Sequence, residues 1–78
     1  MIVIHINFHG AINRHGHAQD CAIEAEDGAT VDALLRSIGY SDREARFVVA
    51  MIAGERLHPK HPLCNGDRID LLAPAGGG

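Results

Sequence analysis

The chain has 78 residues, ten acidic against seven basic side chains, and only three aromatics, Phe8, Tyr40 and Phe47. A chain of this size makes one small domain that buries only roughly 60 to 65% of the surface exposed when unfolded, which leaves no room for a deep catalytic cleft. Net negative charge is the wrong sign for neutralising phosphates, and so few aromatics supply no stacking platform, so nucleic acid is excluded as a ligand.

Ile2, Ile4, Ile6 and Phe8 alternate with Val3, His5 and Asn7, a period of two that predicts a strand with an aliphatic row on a core and a more polar row outside. The same segment has no basic region, no long apolar stretch and no small-residue cleavage site, so no signal peptide and no membrane span are expected, and a cytoplasmic location follows. Gly10 to Gly16 reads as a turn-rich connection, after which Cys21, Ile23 and Ala25 fall on one face of a second strand, expected to form a hairpin with the first. Asp27-Gly28 breaks that pattern. Thr30 is a good N-cap, because its hydroxyl can accept from a free N–H of the first helical turn, and Asp32 adds negative charge at the positive helix end. Val31, Leu34, Leu35 and Ile38 lie at i, i+3, i+4 and i+7, one apolar stripe, and Gly39 supplies the stop. Ser41-Asp42-Arg43-Glu44 has the form of a capping box and predicts a second short turn.

Phe47 to Ile52 is a continuous β-prone run that predicts a strand with little solvent exposure, turned over by Ala53-Gly54-Glu55, with a short strand near Arg56-Leu57. Pro59 and Pro62 exclude regular helix between His58 and Leu63, since each lacks an amide hydrogen and restricts the residue before it. Asn65-Gly66-Asp67 is a turn signal ahead of a last strand in which Ile69 and Leu71 face inward and Arg68, Asp70 and Leu72 outward. This order of elements predicts an α+β fold, a mixed sheet of four to five strands packed on one main helix.

After Pro74 the sequence reads Ala75-Gly76-Gly77-Gly78. Glycine lacks a Cβ, so such a segment contributes little to folding, yet it can extend as a thin thread into a channel of another protein and present a terminal carboxylate there. The bland alternative is a frayed end. The expected organisation is a folded domain over residues 1–74 and a flexible glycine tail over residues 75–78.

Taken together, the strand and helix order, the helix opening at Gly28-Ala29-Thr30-Val31, the Gly54-Glu55 turn, His61-Pro62-Leu63 followed by Gly66-Asp67, Pro74 and the closing glycines resemble the ubiquitin-like β-grasp sulfur carriers. These include the small subunit of molybdopterin synthase and the thiamine-pathway carrier ThiS. The strand ending at Gly10, the Arg14-x-Gly16 loop and Pro62-Leu63-x-x-Gly66-Asp67 lean toward the molybdopterin branch. The resemblance implies that a partner adenylating enzyme, related to ubiquitin-activating enzymes, uses ATP and magnesium to activate the carboxylate of Gly78. A persulfide donor then converts it to a thiocarboxylate. Gly76 and Gly77 thread that end into a sulfur acceptor, either the large subunit of molybdopterin synthase or thiazole synthase. The domain itself binds no cofactor and supplies no catalytic residue; it is a protein co-substrate. Two departures from the family pattern are a third glycine, Gly76, ahead of the usual pair, and Ala53 where these carriers commonly place asparagine before glycine.

Docking of partners is expected on the sheet face beside the tail, centred on Leu72, extended by Met51 and Val49 and flanked by Arg68 and Asp70. The alternative is that Leu72 packs under a loop. The mildly acidic domain would suit a basic partner surface. His15-x-His17 and His58-x-x-His61, with Cys64 nearby, are metal-ligand types, but nothing in the sequence forces the two groups together, so solvated loop histidines and no metal site are expected. Cys21 and Cys64 are expected to be reduced, Cys64 as a small, partly buried residue. Two other functions remain open: a ubiquitin-like modifier conjugated through Gly78, and a non-catalytic β-grasp interaction module.

Overall fold

Strand β1 (Ile2–Phe8) buries Ile2, Ile4, Ile6 and Phe8 and turns Val3, His5 and Asn7 to the opposite face, in a computed structural model that describes residues 1–73. The boundary expected after residue 74 and the glycines Gly76, Gly77 and Gly78 lie outside the described residues. Strand β2 (Asp20–Ala25) pairs antiparallel with β1, placing Ile23 opposite Ile4 and Cys21 opposite Ile6. Three further strands follow, β3 (Val49–Ile52), β4 (Glu55–Arg56) and β5 (Arg68–Leu72). They complete a mixed five-stranded sheet in the order β2-β1-β5-β3-β4, with β5 parallel to β1 and antiparallel to β3.

Helix α1 (Val31–Ile38) covers one face of this sheet with the stripe read from the sequence, Val31, Leu34, Leu35 and Ile38, all buried. Beneath it the central pair of strands sets Ile6 beside Ile69 and Phe8 beside Leu71, each at most 1% exposed. The helix start is buried against the proline segment, so its free N–H groups need partners. Val31 donates to the His61 carbonyl (3.0 Å), Asp32 to the Pro59 carbonyl (2.9 Å) and Ala33 to the Thr30 hydroxyl (3.2 Å). The segment that could not be helical thereby caps one. At the other end Tyr40 and Gly39 both donate to the Leu35 carbonyl in a Schellman-type closure, with Gly39 at φ +129°. Among the described residues no helix is long and apolar enough to cross a membrane.

Helix α2 (Asp42–Ala45) carries the reciprocal capping box, Glu44 N to Ser41 Oγ (3.1 Å) and Ser41 N to Glu44 Oε1 (3.0 Å). This element corrects one expectation. The strand expected from Phe47 begins only at Val49, because the Phe47 amide closes the helical turn by donating to the Glu44 carbonyl (3.0 Å), and Phe47 is left 53% exposed. The short strand likewise falls one residue earlier than expected, at Glu55–Arg56, because Ile52 and Glu55 pair across a two-residue turn.

Candidate functional site

The face of the sheet turned away from α1 is assembled by register. In the parallel β1–β5 pair His5 lies beside Arg68 and Asn7 beside Asp70; in the antiparallel β3–β5 pair Met51 opposes Asp70 and Val49 opposes Leu72. Paired residues share a face, so all five residues expected to dock partners meet on one surface. Leu72, Val49, Met51 and Asp70 are half-buried and Arg68 is exposed. Val49 is the cross-strand neighbour of Leu72. An open groove of about 550 Å³ runs along the face, lined by His5, Asn7, Asp20, Arg68 and Asp70 with Ala53 at its rim.

The chain leaves the sheet at Leu72 and Ala73, between the end of β1 and the start of β3, and two residues missed by sequence reasoning stand there. His9 donates its amide to the Leu71 carbonyl (2.9 Å), and its Nε2 is 2.9 Å from Asp70 Oδ1, a half-exposed pair. Extending the alternation of β1 by one residue puts His9 on the outer face, but its partner depends on the parallel pairing. Phe47 lies two residues ahead of β3, at the sheet end where β5 stops, and its exposure makes it the largest apolar side chain open to solvent there among the described residues. The signal that could have found it is the capping box, which commits the following residues to closing a helical turn.

The histidine groups sit at opposite ends of α1. Near its start, His58 and His61 frame a turn, with the His61 amide on the His58 carbonyl (2.9 Å). Near its end, His15 and His17 are half-buried, which corrects the expectation of freely solvated loop histidines. His15 Nε2 is 3.3 Å from Glu44 Oε2, and the ring meets Tyr40 edge-on at 4.7 Å between centroids; His17 Nε2 is 3.3 Å from the Ile38 carbonyl. His15 holds φ +50°, with its amide on Asn13 Oδ1 (2.9 Å), so local bonding offsets a conformation that costs energy for a residue with a Cβ. The Tyr40 hydroxyl donates to the Asn13 carbonyl, and burial, with Glu44 adding to it, pushes its pKa up to about 12. The Glu44 carboxyl is held below the usual carboxylate range, first by the Ser41 amide and also by His15. These contacts tie the loop after β1 to the helix end; they are structural. Among the described residues no three His, Cys, Asp or Glu side chains converge as a metal site, and no charged side chain is buried. Cys64 is exposed, which corrects the expected partial burial: the turn at Asn65-Gly66 keeps it at the surface, its amide on Asp67 Oδ2 (2.8 Å). Burial and the neighbouring Asp20 raise the Cys21 thiol, leaving it less able to ionise.

The sequence profile of the ThiS family matches residues 11–78. The chain belongs to the ThiS family. No curated protein matches it. Among solved structures it is similar to small archaeal modifier protein 1 of Haloferax volcanii, with a TM-score of 0.76 at 14% identity over 96% of this chain and 100% of that one. It is also similar to a Pyrococcus furiosus protein assigned as molybdopterin converting factor subunit 1, with a TM-score of 0.75 at 17% identity over 96% and 100% of the two chains. A ubiquitin from Caldiarchaeum subterraneum superposes with a TM-score of 0.67 at 19% identity over 99% and 98%. At these identities the likeness establishes the ubiquitin-like β-grasp fold. Membership in the ThiS family makes the chain a small sulfur carrier protein and not itself a catalyst.

Proposed function

We propose that this ThiS-family chain carries sulfur as a thiocarboxylate on Gly78 and delivers it to an enzyme of cofactor biosynthesis. A partner adenylating enzyme, using ATP and magnesium, joins the Gly78 carboxylate to AMP and releases pyrophosphate, replacing an oxide, a poor leaving group, with a good one. The terminal sulfur of a protein persulfide displaces AMP to give an acyl disulfide. A thiolate then cleaves its S–S bond, leaving the thiocarboxylate on Gly78 and a disulfide on the donor. The acceptor consumes the sulfur and regenerates the carboxylate. The large subunit of molybdopterin synthase is favoured over thiazole synthase as that acceptor, on the Arg14-x-Gly16 loop and the Pro62-Leu63-x-x-Gly66-Asp67 segment.

The observation that supports this reading best is the placement of β5. It is the middle strand, and its last residues emerge beside an apolar strip of Leu72, Val49 and Met51 with Phe47 at the same sheet end. A partner that grips this strip, with Arg68 and Asp70 adding polar contacts, holds the residues that follow at a set distance from its own reacting groups. Five residues beyond Ala73 reach at most about 18 Å when fully extended. Gly76 and Gly77 carry no side chain to widen that thread, and misplacement by an ångström at a reacting centre is costly in rate.

The test is to incubate the protein with ATP, a persulfide source and candidate activating enzymes and to follow intact mass. The expected product shows one oxygen-to-sulfur exchange that maps to Gly78, and removal of Gly78 abolishes it while leaving the melting temperature unchanged. A domain that unfolds on losing Gly78, or one that gains no sulfur with any activating enzyme, refutes the proposal. The similarity to an archaeal modifier and an archaeal ubiquitin favours a second reading, conjugation of the same activated carboxylate to lysines of other proteins. Protein conjugates ending in Gly78, found in place of the sulfur exchange, would select it.

A further inference from the structure

β2 is the terminal strand at the other end of the sheet from β4, and among the described residues no strand lies along its outer edge. The Phe8 amide donates to the Gln19 carbonyl (2.8 Å), which fixes the phase of the antiparallel β1–β2 ladder. Bonded pairs recur at every second residue, so Cys21 and Ile23 bond to β1, while the backbone N–H and C=O of Asp20, Ala22 and Glu24 point away from it into the open edge. The side chains of these three residues are exposed on the outer face. Cys21 and Ile23 turn to the helix side, where they pack on the core yet stay half-exposed. On that side a groove of about 280 Å³ lies between the end of β2 and α1, with Ala25, Ala29, Ala33 and Leu34 as its apolar wall. Charge along the edge has one sign. Asp20, Glu24, Glu26 and Asp27 follow one another with no lysine or arginine between Arg14 and Arg36. The Met1 amino group pairs with Asp27 (3.1 Å), but Asp20, Glu24 and Glu26 make no ion pair among the described residues. The β1 neighbours of Asp20 and Glu24 are Asn7 and Val3, neither of them a cation.

We propose that the β2 edge takes up an extended basic segment of a partner protein as an added strand, with lysine or arginine on Asp20 and Glu24 and apolar side chains beside Cys21, Ile23 and the groove along α1. The open backbone groups of Asp20, Ala22 and Glu24 give an incoming strand its hydrogen bonds, and the alternation of the sheet then sorts its side chains. Residues opposite Asp20 and Glu24 stand four apart on the partner and face the outer side, where opposite charges attract. The residues between them face the helix side and cover the half-exposed flank of the core. A second copy of this chain is a poor occupant, because the antiparallel register that uses all three open positions sets Asp20 of one copy against Glu24 of the other. A nucleic-acid backbone carries the same sign of charge as the edge. β1 separates β2 from β5, so the pairing does not depend on what Gly78 carries, and loss of one activity leaves the other measurable.

The test titrates the isotope-labelled full chain with the acetylated, amidated peptide Arg-Val-Thr-Val-Arg and follows backbone amide shifts and hydrogen exchange. The amides of Asp20, Ala22 and Glu24 should shift and gain protection, whereas those of Cys21 and Ile23, already bonded to β1, should gain little. Affinity should fall as salt is raised. The double substitution Asp20→Asn, Glu24→Gln should weaken binding about fivefold or more without lowering the melting temperature, since both side chains are exposed. Charge reversal, Asp20→Lys with Glu24→Lys, should transfer binding to the peptide Glu-Val-Thr-Val-Glu. Shifts confined to the outer face around Leu72, equal binding of the peptide Gln-Val-Thr-Val-Gln by the parent chain, unchanged affinity in the double variant, or no shift at millimolar peptide each overturn the proposal.

Discussion

The β3–β4 hairpin turns through Ala53 and Gly54, which hold φ at +52° and +83°, with Ile52 and Glu55 as the closing pair. Positive φ at both central positions is the type I′ pattern that favours asparagine followed by glycine. Alanine is a poor choice at the first, because its Cβ crowds the following carbonyl oxygen at a cost of about 1–2 kcal/mol. Ala53→Asn should therefore stabilise the domain by about 1 kcal/mol, since asparagine tolerates the left-handed region through local side-chain hydrogen bonding. Ala53→Gly relieves the same strain but frees the unfolded chain by roughly 0.5–1 kcal/mol, so its net gain is smaller. In a domain of this size 1 kcal/mol moves Tm by roughly 4–8 °C. Gly54→Ala is the mirror experiment. An added Cβ there meets nothing within 4 Å, so any loss is backbone strain alone, about 1 kcal/mol. Thermal unfolding by circular dichroism and urea titration should agree, with the midpoint shifted and the urea slope unchanged. No gain from Ala53→Asn together with no loss from Gly54→Ala would show that this turn is not held in the left-handed region and would refute the reasoning.

Leu71, fully buried beside Phe8 beneath α1, should cost about 2–5 kcal/mol when changed to alanine, read as a lower urea midpoint. Tyr40 is the only tyrosine and the chain has no tryptophan, so an ultraviolet phenolate titration reads it alone; the midpoint should lie near 12. Because the folded value is raised, the stability that Tyr40 contributes is complete below the ordinary tyrosine pKa of about 10 and is lost as pH rises toward 12. Tyr40→Phe should flatten that alkaline loss, and an unchanged pH profile would count against it. Leu72→Lys and Phe47→Ala should leave the unfolding free energy within about 0.5–1 kcal/mol of the parent but slow sulfur loading by the activating enzyme, which a mass-resolved time course measures. Loading at the parent rate in both variants would remove the apolar strip from the docking surface.

How far the site could be read ahead of the structure differs from residue to residue. Leu72, Asp70 and Arg68 were assigned outward by alternation alone, because the period of a strand is local and needs no partner. His9 and Phe47 were not, since one is defined by contact with a residue 61 positions away and the other by where a helical turn lets go of the chain. His15 and His17 illustrate the same divide: the sequence places them in a loop and expects them solvated, whereas their half-buried environment is set by Tyr40, Glu44 and the carbonyl of Ile38.

The amino-acid sequence by itself determined the elements: the alternating rows of β1 and β5, the stripe and caps of α1, the capping box of α2 and the glycines that follow Pro74. Each of these depends on neighbours within a few residues. Only the tertiary structure decided that β5 runs between β1 and β3 and that the strip of Val49, Met51 and Leu72 is continuous. Strand order and groove walls come from pairings between distant segments, where many registers satisfy the same hydrophobic alternation until the helix closes over one of them.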